Sequence, residues 1–338
     1  MVTKINVEEA LKEPGIVFLD TRTPQEFAED HVLSAVNLPL LSNEERAVVG
    51  TIYKQVSQEK AIEQGIEFFS KKMPLFIKEA SRYKDKKIIV YCWRGGMRSR
   101  TVTSLLESFD YNVRQLEGGY KKYREYVRER LYNYPLTAKF IVLCGLTCTG
   151  KTDLLQKLSP SLDLEGLAQH RGSLYGAVGL QPRTQKMFEN LLLRRLDELK
   201  DADYIFVEGE GRKIGDLMIP AVLWKAMNSG TKILISRDFD LRAKAAVEEY
   251  LKEENIPKIK EVTQSLWKVI GKKNKEEVLH ALEEKDYVRA VKILLRDYYD
   301  LLYGHTLRGI QFSAEINSDS IEKAVAEIHR FVQSLNRS

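Results

Sequence analysis

The 338-residue chain has no long apolar run. Its longest, residues 140–145 (FIVLCG) and 204–207 (YIFV), fall far short of the about 20 residues needed to cross a bilayer. Nor does its start, MVTKINVEEALKEPG, carry the basic-then-apolar pattern of a secretion signal. A cytoplasmic address and no membrane partner are the expectation. Cysteine is scarce: Cys92, Cys144 and Cys148 are too few for a disulfide framework and lack the spacing of a zinc site. No metal site is expected from them, and each thiol is either core filler or a nucleophile. Compositional bias is also lacking. With 43% hydrophobic and 30% charged residues, the chain reads as globular rather than disordered or fibrous, and its length fits two ordinary domains. Of its five histidines, His31, His280, His305 and His329 read as ordinary surface residues.

The net charge of +5 is modest, but its distribution is uneven. Residues 82–139 hold fourteen Lys/Arg against six Asp/Glu, an excess that would attract phosphates. In the same half, residues 15–20 (GIVFLD) read as a buried strand and 24–29 (PQEFAE) as a short helix opened by proline. Residues 32–38 (VLSAVNL), 87–91 (KIIVY) and 113–116 (VRQL) read as further strands. Strands alternating with helices predict a parallel α/β sheet. Cys92 follows the clearest strand directly, in the run Cys-Trp-Arg-Gly-Gly-Met-Arg-Ser, before a helical TVTSLLESF. Open α/β sheets place ligands at such strand ends. Gly95 and Gly96 would let the loop curl, while its amides, the helix N-terminus and the side chains of Arg94 and Arg98 would activate the thiol and hold an anion. Cys92, Arg94 and Arg98 are the candidate catalytic residues.

The stretches LDTRTPQEFAEDHVLSAVNLPL, YCWRGGMRS and LEGGY, spanning roughly the first 120 positions, resemble the rhodanese family. The resemblance implies that Cys92 carries a chalcogen, with Asp20 and Arg22 as supporting residues and candidate substrate contacts. One departure is informative. The Cys92-to-Arg98 spacing, C-x5-R, is one residue longer than the usual sulfur-transferring loop and is similar to phosphatase loops that cradle a tetrahedral phosphate. A phosphorus-bearing donor is therefore expected.

In the second half, residues 139–145 (KFIVLCG) form a buried strand that runs into GLTCTGKT at 145–152, a full GxxxxGK(S/T) match followed by the helical DLLQKL. Gly145, Gly150 and the loop amides would cradle a diphosphate, Lys151 would neutralise it, and Thr152 would hold Mg²⁺ if that ion is used. Cys144 and Cys148 read as packing residues. The strand at 204–207 ends in Glu208, where a nucleotide hydrolase would carry a metal-binding Asp, and Arg212 follows. That pair fits a site which holds a departing diphosphate better than an ordinary ATPase. Residues 232–236 and 309–316 read as two more strands before the terminal helix, with polar amphipathic helices inserted at 241–305. His170, Arg171 and Ser173, just before a glycine-rich LYGAVG, are candidate substrate contacts.

Taken in order, VGTIYKQVSQ, YCWRGGMRS, GLTCTGKT, LDLEGLAQHRGS, QPRTQ and VEGEGRKIG resemble the tRNA 2-selenouridine synthase family over most of the chain. That resemblance implies a rhodanese-like parallel-sheet domain at 1–130, a linker at 131–137, and a P-loop α/β domain at 138–338 carrying the helical insertion. It also implies a transferase that replaces sulfur by selenium in the wobble 2-thiouridine of a tRNA. The sulfur is first S-geranylated with geranyl diphosphate, then displaced by selenium from selenophosphate. The partners are then tRNA and a selenophosphate-supplying enzyme, with no tightly bound cofactor. Two rivals remain from the residues alone. One is a C-x5-R phosphatase-like domain fused to a small-molecule kinase; the other is a nucleotide-regulated binding module without catalysis.

Overall fold

The computed structural model describes residues 2–209 and 211–335, so Glu210 of the VEGEGRKIG stretch lies outside it. The chain divides into two units, Met1–Asn133 with Glu189–Leu193, and Tyr134–Phe188 with Arg194–Ser338.

The first unit is built on β1 (Lys4–Ile5), β2 (Ile16–Asp20), β3 (Val36–Asn37), β4 (Lys87–Tyr91) and β5 (Val113–Leu116). They pair in parallel in the order β1-β5-β4-β2-β3. The last four residues of β4 are all buried, as a strand covered by helices on both faces requires. Helix Pro24–Glu29 starts on a capping box between Thr23 and Glu26, with proline where its missing N–H costs nothing. Two helices that periodicity did not announce, Asn43–Gln55 and Gln58–Ala80, start on Ser42 and Ser57 caps and pack on each other. The second contributes Phe69, Phe76 and Ala80 to the sheet's core.

The strand expected at 32–38 shrinks to two residues. Ser34 takes a left-handed φ of 66° and Ala35 N–H donates to Val32 O, so the chain turns before it can pair. Val32 is nevertheless buried, and its burial, not strand geometry, is what the apolar pattern reported.

The second unit centres on β6 (Lys139–Cys144), with β7 (Ser161–Leu162), β8 (Tyr204–Glu208), β11 (Thr231–Ser236) and β12 (Ala314–Asn317) in the parallel order β12-β11-β6-β8-β7. A small antiparallel pair, β9 (Lys213–Ile214) and β10 (Leu217–Met218), stands apart. Ile141, Leu143, Phe206, Ile233 and Ile316 meet the apolar face of the last helix, Ile321–Leu335, through Ala324, Ile328 and Val332. The last strand starts later than expected because helix Asp300–Arg308 runs on to Gly309. Helices Phe239–Tyr250, Ile256–Ser265, Trp267–Glu283, Tyr287–Leu294 and Asp300–Arg308 fill the expected insertion. They hold a core of their own around Ala243, Ile259, Val278 and Leu294, which Tyr175 and Val178 join.

One buried ion pair ties the first unit together. Arg22 Nη2 lies 2.6 Å from Asp20 Oδ2 and donates to Asp30 O at 2.7 Å, and the guanidinium sits 3.8 Å over the Tyr120 ring. Asp20 is 0% and Arg22 1% exposed. Removing one partner strands a buried charge, so Arg22→Ala should cost about 3–5 kcal/mol. Urea unfolding of the full chain with Trp224 and Trp267 replaced by phenylalanine, followed by the fluorescence of Trp93, measures it; a loss under about 1 kcal/mol would contradict the strut, being the size of an exposed pair.

Candidate functional site

The first loop leaves β4 at Cys92 and enters helix Met97–Glu107. Gly95 takes φ +63°, and Gly119 takes φ +59° at the start of helix Gly119–Tyr132. A Cβ on Gly119 would fall 2.4 Å from Cys92 O and 2.4 Å from Gly95 N, so only glycine lets this second helix reach the loop. It arrives with donors: Tyr120 N–H to Cys92 O and Lys121 N–H to Trp93 O, both 2.9 Å. Gln115 on β5 adds its Nε2 to Gly95 O at 3.0 Å and to Ser99 Oγ at 2.8 Å. The loop's carbonyls are thus held from behind. Gly96 caps helix Met97–Glu107 without any side-chain acceptor, leaving that helix's first amides for an anion.

Cys92 is 3% exposed, with Sγ 3.2 Å from Ser99 Oγ. Arg94 is exposed, whereas Arg98 donates to Glu26 Oε2 at 3.0 Å. Burial pushes the Glu26 carboxyl up, but the Arg98 charge and hydrogen bond more than offset this and leave it below its usual range. Asp20 and Arg22, read from the sequence as substrate contacts, are instead buried against each other and act as the strut described above. The basic excess is also partly engaged. Arg114 and Lys87 share Glu13, and Arg124 is buried 3.7 Å from Asp30, while Arg94, Arg100 and Arg128 stay exposed.

The second loop leaves β6 at Cys144. Gly145 passes so close to β11 that a Cβ would lie 2.4 Å from Ile235 O, and Gly150 takes φ +81°. Lys151 opens helix Lys151–Lys157 and rests its Nζ on two carbonyls of its own loop, Gly145 O at 3.0 Å and Leu146 O at 3.2 Å. The loop borders a cavity of about 760 Å³ whose wall includes Gly145, Gly150, Lys151, Thr152, Arg171 and Ser173.

Arg237, just past the end of β11, also faces this cavity, and its Nε is buried without a hydrogen-bond partner among the described residues. The sequence reading missed it. An arginine after a strand has no local signature, and only the pairing of β11 with β6 brings it to the glycine loop. Arg212 is exposed and off the cavity wall, where Arg171 and Arg237 are the arginines instead. Glu208 is also off the wall. It is 2% exposed, and its Oε1 accepts from Glu165 N–H at 2.7 Å, fastening a neighbouring turn. Thr152, beside Lys151 on the cavity wall, would hold Mg²⁺ next to a phosphate through its hydroxyl.

His170 does not reach the cavity wall. Its Nδ1 accepts from Gly172 N–H at 3.1 Å, and its ring fills the space over Gly176 and Gly215. Burial, with help from the Arg171 charge, lowers its pKa despite Asp216. Arg171 is steered by Val178 O at 2.9 Å and by Glu249 at 2.5 Å, and Ser173 accepts from Tyr299 OH at 3.2 Å. Cys148 takes φ +61°, and burial first, then Glu249, pushes its thiol up to about 12, so it stays protonated. Cys144 is buried against Gly209.

The profile of the tRNA 2-selenouridine synthase AAA domain matches residues 138–334, and that of the rhodanese-like domain matches 4–126. Among curated proteins, a tRNA 2-selenouridine synthase of Cupriavidus necator is 35% identical over 70% of this chain and 66% of its own. One from Shewanella piezotolerans is 34% identical over 69% and 65%. One from Cupriavidus pinatubonensis is 32% identical over 86% and 88%. The chain thus spans just under two thirds of the first two and most of the third. Among solved structures, the N-terminal domain of a putative ATP/GTP binding protein from Clostridium difficile 630 is 44% identical over 37% of this chain and 98% of its own, with a TM-score of 0.36. The order of the two domains and the extent of these matches place the chain in the tRNA 2-selenouridine synthase family.

Proposed function

We propose that this protein modifies tRNA, replacing the sulfur of a wobble 2-thiouridine by selenium in two steps that use its two anion loops in turn. The observation that carries the reading is the second loop: a glycine cradle with a lysine, an arginine on the cavity wall whose Nε has no hydrogen-bond partner among the described residues, and a Glu rather than an Asp at the end of β8. This arrangement suits a diphosphate that must be held and released.

In the first step the thiocarbonyl sulfur attacks C1 of geranyl diphosphate. A C–S bond forms as the C–O bond breaks, the electron pair leaves with the diphosphate, and the ring nitrogen loses its proton. Lys151, Thr152 and Arg237 stabilise the charge on the leaving group. Mg²⁺, held by Thr152, would add to that neutralisation. In the second step selenium from selenophosphate adds to the ring carbon and the geranylthiolate departs, while water takes the phosphorus to phosphate. The Cys92 loop orients this donor through the Cys92 thiol and the first amides of helix Met97–Glu107, with Arg94 and Arg98 as its cations. An S-alkyl group is a far better leaving group than a thiocarbonyl sulfur, which is the chemical reason for two steps. The exposed Arg100 and Arg128 meet the tRNA backbone, and the selenophosphate comes from a separate enzyme.

Nucleoside mass spectrometry of tRNA incubated with the protein, geranyl diphosphate and selenophosphate tests the scheme. Cys92→Ala is expected to abolish selenouridine while S-geranyl-tRNA accumulates; an undiminished selenouridine yield removes Cys92 from the chemistry. Lys151→Ala is expected to slow geranylation roughly 100-fold, the size of losing one preorganised charge donor, and Arg237→Ala to slow it in the same range. An Arg237→Ala rate equal to wild type would return the second cation to another residue. Binding of tRNA should weaken roughly 100-fold between about 50 and about 200 mM salt if several phosphates are neutralised. Salt-indifferent binding, measured by filter retention, would refute the basic contact.

A further inference from the structure

Beside the glycine loop, the wall of the 760 Å³ cavity carries acidic residues, Asp153, Glu165, Glu248 and Glu249, and also a set of apolar ones. Val142 and Cys144 point to the same side of β6, two residues apart, and both line it. Trp224 and Met227 of helix Ala221–Ser229 line it as well, with Leu307 of helix Asp300–Arg308 and Ile310 just past that helix's end. Trp224 and Met227 are spaced i, i+3 on their helix and so share one face. Asn228 and Lys232 line the cavity too, and Lys232 Nζ donates to Asn228 O at 2.5 Å, giving the apolar stretch a polar end. Along β6 the distance from Val142 to Gly145 is roughly 10 Å.

We infer that this groove is the subsite for the hydrocarbon chain of an allylic diphosphate, with the diphosphate on the glycine loop and the chain running from Gly145 past Val142 and Trp224 to Ile310. The inference rests on the proposed use of geranyl diphosphate and adds where its chain lies and what limits its length. Continuity with the cationic loop argues for one occupant that is charged at one end and apolar at the other. The extent of the groove suits an extended ten-carbon isoprenoid. A second apolar pocket, behind Thr147, Cys148 and Tyr250, has about 40 Å³ of space, little more than one water's share of the liquid, about 30 Å³. It cannot take such a chain.

Calorimetric titration of the full chain with inorganic pyrophosphate, dimethylallyl diphosphate, geranyl diphosphate and ADP tests the assignment. Burying a methylene strengthens binding roughly fourfold, so the ten-carbon ligand should bind at least about 50-fold tighter than the five-carbon one. Trp224→Ala, which removes a wall, and Ile310→Trp, which fills the groove, should each weaken geranyl diphosphate at least about tenfold by the same rule, with pyrophosphate affinity unchanged as the check on folding. If pyrophosphate binds but the longer chain adds nothing, the groove is not the subsite, although the diphosphate reading survives. If geranyl diphosphate gains affinity but both variants keep it, the chain lies elsewhere and the assignment falls. If ADP binds and the variants weaken ADP alone, the groove takes a nucleobase and the assignment also falls. If no diphosphate binds at all, the proposed first step fails, and this inference with it.

Discussion

β6 is hydrogen-bonded on both sides, to β8 and to β11, and the chain leaves it toward one neighbour and later returns to the other. That connectivity opens a crevice at the strand's C-terminal end, because the crossovers on either side go to opposite faces. The glycine loop, Lys151 and Arg237 converge there because of strand order, not sequence proximity. β4 holds the same place in the first unit, between β2 and β5, and ends in Cys92. In both units one backbone approach sets the geometry: Gly119 against Cys92 O, and Gly145 against Ile235 O. A methyl group at either position would push apart the strand end and the element that braces it.

Both loops are braced from the side opposite their amides. In the first, donors from Tyr120, Lys121 and Gln115 take up the carbonyls. In the second, Lys151 rests on carbonyls of the loop itself, and Ser318 Oγ donates to Thr149 O at 2.6 Å. A loop whose carbonyls are satisfied has less reason to rearrange when an anion arrives, so the N–H groups meet it in place.

The fold class and the two loops were legible because each depends on local order: an apolar strand, then glycines, then a helix. β4, β5 and the GLTCTGKT turn fall where the pattern put them. What the pattern could not reach is long-range. Residues 32–38 are apolar enough for a strand, but Ser34 turns the chain, and the buried Val32 satisfies the pattern without pairing. Asp20 and Arg22 were candidate contacts through the rhodanese resemblance alone; here Asp30, eight residues after Arg22, and Tyr120, far along the chain, enclose the arginine. Arg237 shows the reverse case, a residue silent in the sequence that strand pairing carries to the cavity. Arg212 and Glu208 lie near that region in sequence but turn away from it, one to the surface and one to the Glu165 amide.

Arg242 is almost wholly buried and serves two masters. Its Nε donates to Thr147 O at 2.9 Å, inside the glycine loop, while Nη1 and Nη2 grip the Asp300 carboxylate on the helical insertion. The turn that receives a ligand and the helix that carries Leu307 and Ile310 are therefore joined by one rigid, planar group. Any shift of the turn is transmitted as a tug on that helix, and loosening of the helix loosens the turn. The glycine turn and the insertion are in this way joined through one side chain, and opening of either, read by exchange of the insertion's amides, has to break the same contacts.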